Sequence, residues 1–244
     1  MSSVRALHIE QGFPDPLASR LRLQRVLRGI KRTLGTPPSS RLPVTTEVMS
    51  MIHKHLDLTL FDHAMFWAAC CLAYSGFLRA SEFMVNSSSI FSPDLHLNVP
   101  DISVDSMSNP TMLRIHVKAS KTDPFRKGTH VFICRAKPPV RAVEAVLGYL
   151  TRRGGPPGPL FVMESGQPLS RQKLTSWLRE ILQLEGVPGN YSSHSFRIGA
   201  ATVAVRNGLP DHLIQTLGRW TSGAYRSYIR TPVDVLAGAS SKLV

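Results

Sequence analysis

The protein has 244 residues, 43% of them apolar, which is enough for one medium domain with a single sizeable core and an appendage. Lys and Arg number 29 against 16 Asp and Glu, so the formal net charge is +13, which favours a polyanionic partner without identifying it. The longest apolar run, Ala64–Leu78, is too short and too interrupted to span a membrane, and residues 1–10 contain no run of signal-peptide length.

The first predicted element is a basic amphipathic helix over Leu17–Leu34, where leucine, valine and isoleucine recur at helical spacing among arginines. Gly35–Pro43, with the sequence GTPPSSRLP, is typical of a linker. We therefore predict a domain boundary here, with residues 1–43 ahead of a compact unit of residues 44–244.

A near-continuous apolar stretch over Leu60–Arg79 predicts a buried central helix, followed by polar residues 87–105. Apolar and basic residues then alternate over Leu113–Val117, the period of a half-buried strand, and Thr129–Cys134 is its predicted partner. The two strands form a hairpin, and its polar, basic connection Ser120–Gly128 should project from the sheet.

The rest of the chain has the pattern of short helices. Their predicted ranges are Val140–Arg153, Ser170–Leu184, His194–Asn207, Pro210–Leu217 and Ala224–Arg230. Ser170 is the expected N-cap of the second of these, and Gly186 lies just past its end. Many helices with a small antiparallel β-sheet predict a mostly helical α+β fold.

Two segments carry basic residues that could meet a phosphate. Arg79, in GFLRASE, has Glu82 three residues later to orient it, although an isolated pair at this spacing is usually a capping salt bridge. Lys121, in the hairpin connection, can reach a phosphate ester and give a proton to a leaving oxygen. Lys118 and Lys127 compete for that role, and the loop by itself is typical of a solvated basic tip.

Two later segments add to this set. His194 and Arg197, in HSFR, open a helix, where first-turn amides and the helix dipole favour an anion and the arginine can fork across two phosphate oxygens. After LGRW come Tyr225 and Tyr228, a spacing that is usually packing. A phenol with a pKa of about 10 becomes a nucleophile only among stabilising cations or beside a base.

The order and approximate spacing of these motifs resemble the tyrosine recombinase (phage integrase) family over about residues 44–230. The motifs are Arg79 with Glu82, a hairpin lysine, His-x-x-Arg, Leu-Gly-Arg-Trp and a tyrosine eight or nine residues later. The local sequences GFLRASE, SKTD, HSFRIGAAT and GRWTSGAYRSYIR are most similar to those of recombinases of eukaryotic DIRS-type mobile elements. The implied fold is the α+β, mostly helical catalytic domain of that family, with its small antiparallel sheet.

The resemblance implies a role for each matching residue. Arg79 and Arg197 clamp the scissile phosphate, Lys121 protonates the departing 5′ oxygen, and His194 assists as acid, base or hydrogen-bond donor. Tyr228 attacks to form a 3′-phosphotyrosyl link. Because that link retains the energy of the broken phosphodiester, rejoining needs neither ATP nor metal, and we expect no cofactor.

One position departs from the common family pattern. Many members have Leu-Gly-His, with the histidine nine residues before the tyrosine, and counting back nine from Tyr228 gives Arg219. Other members use tryptophan, which favours Trp220, whose indole N–H can donate to the phosphate. We assign supporting roles to Arg219 and Glu82. Tyr225 remains a rival nucleophile, although Tyr-Ile-Arg at Tyr228 matches the family ending better.

The resemblance also implies partners. Residues 1–43 are expected to be a remnant of the helical core-binding region that closes around DNA in this family. Either this chain is a fragment or the gene has lost half of that clamp, which predicts weaker and more salt-sensitive binding. The expected partner is double-stranded DNA, on which four copies assemble as a homotetramer, with no membrane contact. The tail Pro232–Val244 could dock on a neighbouring copy or fold back in cis.

Three further expectations complete the interpretation. The three cysteines cannot all pair with one another, which predicts a reducing compartment with Cys70 and Cys71 packed as small hydrophobes, and the eukaryotic resemblance implies the nucleus. His53-Lys54-His55 is more typical of a surface than of a metal site. Two alternatives stay open: a DNA-binding protein derived from such an enzyme that no longer cuts, and an RNA-binding or phosphate-binding structural domain inferred from charge alone.

Overall fold

The computed structural model describes residues 2–18, 20–35, 41–85, 91–120, 123, 125–227 and 229. It divides into two compact units, Met1–Ser40 and Arg41–Val244. The smaller unit contains α1 (Ser2–Glu10), which the sequence does not predict, and α2 (Leu21–Leu34). The predicted basic helix therefore begins at Leu21 rather than Leu17, because Leu17 belongs to a turn in which its N–H donates to the Asp15 side chain.

The larger unit is a mostly helical α+β fold, as predicted. Its helices are α3 (Thr46–Lys54), α4 (Phe61–Ser75), α5 (Ala80–Phe83), α6 (Ala142–Arg153), α7 (Arg171–Leu184), α8 (Ser193–Arg206) and α9 (Asp211–Leu217). Its strands are β1 (Ile102–Val104), β2 (Met112–Val117) and β3 (Thr129–Cys134). Within the part of the chain that the structure describes, no helix has the length and apolar character needed to cross a membrane.

Helix α4 forms the centre of the core. Every residue from Met65 to Ala73 is buried, including both cysteines, because the helix is apolar on all sides and packs against α6 and α8. The helix ends at Ser75 and not at Arg79 as predicted. Phe77 adopts a φ of 48°, in the left-handed region, which cannot continue a helix and turns the chain toward α5.

The sheet is antiparallel in the order β1-β2-β3. Leu113 pairs with Ile133 and Ile115 with Val131, and these four side chains are buried, which confirms the predicted hairpin. Strand β1 is missing from the sequence prediction, because it spans only three residues within the polar stretch 87–105, which is too short for its alternation to indicate a strand.

The helices of the second half lie close to their predicted ranges. Ser170 caps α7 by accepting the Lys173 N–H at 3.1 Å. Pro210 is the N-cap of α9 and does not lie in its first turn. The predicted helix Ala224–Arg230 is a 3₁₀ turn over Gly223–Ser227, a conformation common in such short segments, and residues 228 and 230 lie outside the described part.

Close backbone packing fixes the N-terminal half of α8. A Cβ added to Gly199 would lie 1.7 Å from the Val44 carbonyl oxygen, so only glycine permits this approach. The Val44 N–H donates to the Ser195 carbonyl at 2.9 Å. These contacts hold the segment that carries the His-x-x-Arg motif against the start of the larger unit.

Candidate active site

Arg79 is the N-cap of the short helix α5 and binds a carboxylate that has no solvent exposure. Its backbone N–H donates to Glu82 Oε2 at 2.8 Å and its Nη1 donates to Glu82 Oε1 at 2.8 Å, so one carboxylate binds both the backbone and the side chain of Arg79. The Glu82 side chain is 0% exposed and the Arg79 side chain 17%. The predicted pair is present, and a buried carboxylate sets the direction of the guanidinium.

Arg219 binds the same carboxylate from a distant part of the sequence. Its Nη2 lies 2.7 Å from Glu82 Oε2, and its side chain also donates to the carbonyls of Gly76 (3.1 Å) and Phe77 (3.3 Å). Burial is the main cause that lowers the pKa of Arg219, and Arg79 lowers it further while Glu82 opposes the shift. Two arginines on one carboxylate leave an excess positive charge, which favours an anion nearby.

Arg197 is fully buried, with 0% exposure, although the sequence predicts that it presents its guanidinium to an anion. Its Nη1 donates to the Phe77 carbonyl and its Nη2 to the Gly218 carbonyl. Its Cζ lies 4.1 Å from the centroid of the Trp220 ring. The two carbonyl bonds use two of the five N–H donors of the guanidinium and connect the turn after α4 to the turn after α9.

Trp220 lies in a small hydrophobic cluster beside the main core, called here the second apolar cluster. Its buried members are Phe77, Ala200, Ala201, Ala204, Ile214, Trp220 and Tyr225. The indole packs so closely on Gly218 that a Cβ there would lie 1.7 Å from a ring carbon. Since Trp220 contacts Arg197 while Arg219 contacts Glu82, the two neighbours support different arginines and are not equivalent choices for one position.

His194 lies in the first turn of α8, whose cap Ser192 accepts the His194 N–H at 3.3 Å. Burial is the main cause that lowers the pKa of His194 from its ordinary 6.5 to about 4. Four positive side chains lower it further: Arg41, Arg197, Arg171 and Arg79. The imidazole is therefore neutral at physiological pH, at a point where the fields of arginines from four segments overlap.

Sequence reasoning misses two of those four residues, Arg41 and Arg171. Both line a cavity of about 750 Å³, together with Arg179 and Ser192. Arg171 directly follows Ser170, the predicted helix cap. This position was the signal by which the sequence could have identified Arg171. Arg41 lies in the predicted linker, and only the fold brings it near His194.

The hairpin connection approaches Arg79 directly. Arg79 Nη1 donates to Ser120 Oγ at 3.1 Å, and the Asp123 carboxylate accepts the Gly128 N–H at 2.8 Å, which folds the loop onto itself. Lys121, the predicted acid, lies outside the described residues.

The two rival lysines differ in their surroundings. Lys118 Nζ forms an ion pair with Asp101 at 2.5 Å and also donates to the Pro93 carbonyl, so its charge is already paired with a carboxylate. Lys127 is exposed and lines a cavity of about 500 Å³ between the hairpin and the end of α9. Ser120, Arg219 and Trp220 also line this cavity. It therefore lies between the hairpin connection and the segment before the tyrosines.

The two tyrosines stand differently in the structure. Tyr228 lies outside the described residues, and its role stays a prediction. Tyr225 is 4% exposed, and its hydroxyl donates to Asp211 Oδ2 at 2.6 Å. Ile229, on the other side of Tyr228, packs against the second apolar cluster.

Across the described ranges, no three or more His, Cys, Asp or Glu side chains gather in a way that could hold a metal ion. In the segment His53-Lys54-His55, His53 is exposed, and the other two contact Glu185 Oε1 at 3.0 and 2.5 Å. These contacts fit the predicted surface location.

Comparison with known proteins gives two kinds of match. Residues 45–230 match the family model described as the phage integrase family. A search of curated proteins found no match.

Solved structures provide the second kind of match. XerH site-specific recombinase, in a post-cleavage complex with a palindromic difH substrate, is 16% identical with a TM-score of 0.60, over 83% of this chain and 53% of its own. XerA recombinase is 15% identical with a TM-score of 0.60, over 99% of this chain and 80% of its own. A lambda integrase dimer bound to a COC′ core site is 16% identical with a TM-score of 0.52, over 93% and 77%. The chain thus spans about half the length of XerH, and identities this low show a shared fold.

Proposed function

The chain belongs to the phage integrase family, and on that basis we propose that it is a DNA strand transferase that cuts and rejoins DNA through a 3′-phosphotyrosyl intermediate. The observation that supports this most strongly is the convergence of Arg79, Arg197 and Arg219 around the turn at Phe77, next to the hairpin loop. Such a cluster of cations with a single buried carboxylate is suited to one phosphodiester. The family match also extends past Tyr228.

Arg79 and Arg197 are the proposed ligands of the scissile phosphate. Arg79 is already aimed by Glu82 and keeps part of its side chain exposed. Arg197 is fully buried in the free protein, so its guanidinium can contact DNA only after the residues around it move locally. Once both bind, their charges offset the negative charge that develops on the phosphoryl oxygens.

Tyr228 is the proposed nucleophile. Its oxygen forms a bond to phosphorus while the bond to the 5′ oxygen breaks, and Lys121 supplies the proton that this oxygen needs to leave as a hydroxyl. His194 is neutral in the free protein, so it can accept the phenolic proton or donate a hydrogen bond to the phosphate. Attack by a 5′ hydroxyl on the phosphotyrosyl link reverses these changes and rejoins a strand.

Trp220 and Arg219 have different supporting roles in this proposal. Trp220 holds the plane of Arg197 through its stacked indole and is the proposed additional donor to the phosphate. Arg219 shares Glu82 with Arg79, so it keeps that carboxylate in place and adds positive charge at the edge of the site.

The finer assignments rest on the motifs and on the complexes of similar proteins with their target sites. XerH and lambda integrase are described bound to DNA, which supports double-stranded DNA as the partner here. We also propose that four copies assemble on DNA. The sequences of the four motifs support an origin in a DIRS-type mobile element, and we propose a nuclear location. Residues 1–43 are proposed to belong to a core-binding region.

The test begins with short duplexes that the protein itself selects from a random library. Each selected duplex is then made with a nick near its bound centre, so that the cleaved fragment diffuses away and the enzyme stays trapped. The wild type should give an adduct that resists denaturant in the presence of EDTA, and Tyr228→Phe should give none. A protein that shifts these duplexes in gels but traps nothing is a DNA-binding protein without strand transferase activity.

A further inference from the structure

Tyr225 is fixed at both ends of its side chain. Its hydroxyl donates to Asp211 Oδ2 at 2.6 Å, in the first turn of α9, while its ring is buried and lies 6.1 Å from the centroid of the Trp220 ring. The Arg226 guanidinium adds a cover, with its Cζ 5.9 Å from the Tyr225 ring centroid. A hydrogen bond to a carboxylate is stronger than one between neutral groups, so this is a firm attachment.

The attachment lies three residues before the proposed nucleophile. Three extended residues span at most about 11 Å, so the attachment of Tyr225 limits how far from it a residue three positions later can lie. On the other side, Ile229 packs against the second apolar cluster, to which Tyr225 also belongs. Tyr225 and Ile229, which flank position 228 in the sequence, are therefore both attached to the same cluster.

That cluster also holds the proposed phosphate ligand in place. Trp220 contacts Tyr225 through one part of its ring and stacks on Arg197 at 4.1 Å. The segment that carries the nucleophile and the guanidinium that binds the phosphate are thus attached to one indole. A displacement of Tyr225 is therefore expected to act on the proposed nucleophile, three residues later in the chain.

We propose that Tyr225, held by Asp211, is a positioning residue that sets the approach of Tyr228 to the phosphate bound by Arg197. This inference rests on the proposed strand transferase function. Misplacing a reacting group by about 1 Å can cost a factor of about 100 in rate. The loss of one hydrogen bond at Tyr225 should therefore reduce the rate of attack without reducing DNA affinity.

The experiment measures the rate of adduct formation at saturating nicked duplex, together with the dissociation constant of that duplex. Tyr225→Phe keeps the ring and removes only the hydroxyl, and Asp211→Ala removes the acceptor. Each should slow adduct formation about 10-fold to 100-fold with an unchanged dissociation constant, and the double variant should be no slower than either. Tyr149→Phe is the matched control, because it removes a tyrosyl hydroxyl that contacts the Leu160 and Val162 carbonyls in the main core. It should leave the rate unchanged.

A 5′-bridging phosphorothiolate duplex separates positioning from proton donation. Its sulfur leaves without a proton, so this duplex should restore cleavage by Lys121→Ala but not by Tyr225→Phe. Restoration of Tyr225→Phe to the wild-type rate, or additive losses in the double variant, overturns the inference. Complete loss in Tyr225→Phe with a mild effect in Asp211→Ala also overturns it, because that pattern identifies Tyr225 as the nucleophile.

Hydrogen exchange of residues 223–230 provides a measurement that does not depend on activity. The inference predicts faster exchange in both Tyr225→Phe and Asp211→Ala than in the wild type or Tyr149→Phe. If the wild type forms no adduct but this exchange difference is present, the strand transferase proposal fails while the attachment stands. If exchange is the same in all four proteins, the attachment itself is contradicted.

Discussion

The indole of Trp220 stacks on the guanidinium of Arg197, with Arg197 Cζ 4.1 Å from the ring centroid, and both side chains are buried. A cation that has lost its water depends on such contacts. Trp220→Ala should therefore lower the free energy of unfolding by about 3–5 kcal/mol, the usual cost of deleting a buried large aromatic side chain, and Trp220→Phe by less. Urea denaturation measures both. A loss below about 1 kcal/mol in Trp220→Ala would contradict the importance of the stack.

Glu82 is the carboxylate that bridges Arg79 and Arg219, and its side chain has no solvent exposure. Glu82→Gln keeps the shape but removes the charge, and breaking a buried ion pair costs about 3–5 kcal/mol. Glu144→Gln is the matched control, because Glu144 is 31% exposed and also contacts two arginines. Its cost should stay within about 1 kcal/mol. Equal losses of unfolding free energy in the two variants would contradict a larger stabilising contribution from the buried Glu82.

His194 gives a pH dependence with a definite sign. Its pKa in the folded protein is about 4, below its ordinary 6.5, so the unfolded chain takes up a proton first as the pH falls. Its effect on stability is absent above pH 6.5, and stability is lost between pH 6.5 and pH 4, by up to about 1.4 kcal/mol per pH unit.

His194→Asn should remove this part of the pH dependence, which unfolding measured at several pH values can detect. NMR titration should give a His194 pKa near 4 in the free protein and a higher value with bound DNA, because phosphate charge offsets the surrounding arginines. A free-protein pKa near 6.5, or identical pH profiles for wild type and variant, would rule out this account of the site.

Two helical glycines make a matched pair for testing how α8 is seated. Gly199→Ala would place a Cβ 1.7 Å from the Val44 carbonyl oxygen, and backbone cannot give way cheaply, so the variant should be strongly destabilised. Gly148→Ala, in α6, meets nothing within 4 Å and should stabilise the protein by about 0.5–1 kcal/mol through helix propensity. Thermal unfolding of the two variants should shift in opposite directions. A neutral Gly199→Ala would mean that α8 lies farther from Val44.

The sequence could predict those parts of the fold that depend on local pattern. Alternation identifies β2 and β3, and the cap at Ser170 identifies the start of α7. The break at Phe77 could not be predicted, because a left-handed conformation is rare for phenylalanine and arises here from tertiary packing. It is this turn whose carbonyl accepts hydrogen bonds from Arg197 and Arg219.

In the candidate site, too, some contacts follow from the local sequence and others do not. The order of the motifs predicts which residues converge, and the Arg79–Glu82 contact follows from their spacing. The shared use of Glu82 by Arg219, the burial of Arg197, and the positive charge from Arg41 near His194 all join residues that are distant in sequence. No local pattern reports such contacts.

The most direct test of the central claim is to identify the residue that becomes linked to DNA. Trypsin cuts after Arg226, so it separates a peptide of residues 220–226, which contains Tyr225, from the peptide of residues 227–230, which contains Tyr228. After nuclease treatment of the trapped adduct, mass spectrometry should find the nucleotide remnant on the 227–230 peptide. A remnant on the 220–226 peptide, or no tyrosine-linked nucleotide from an otherwise active preparation, would contradict the assignment of Tyr228 as the nucleophile.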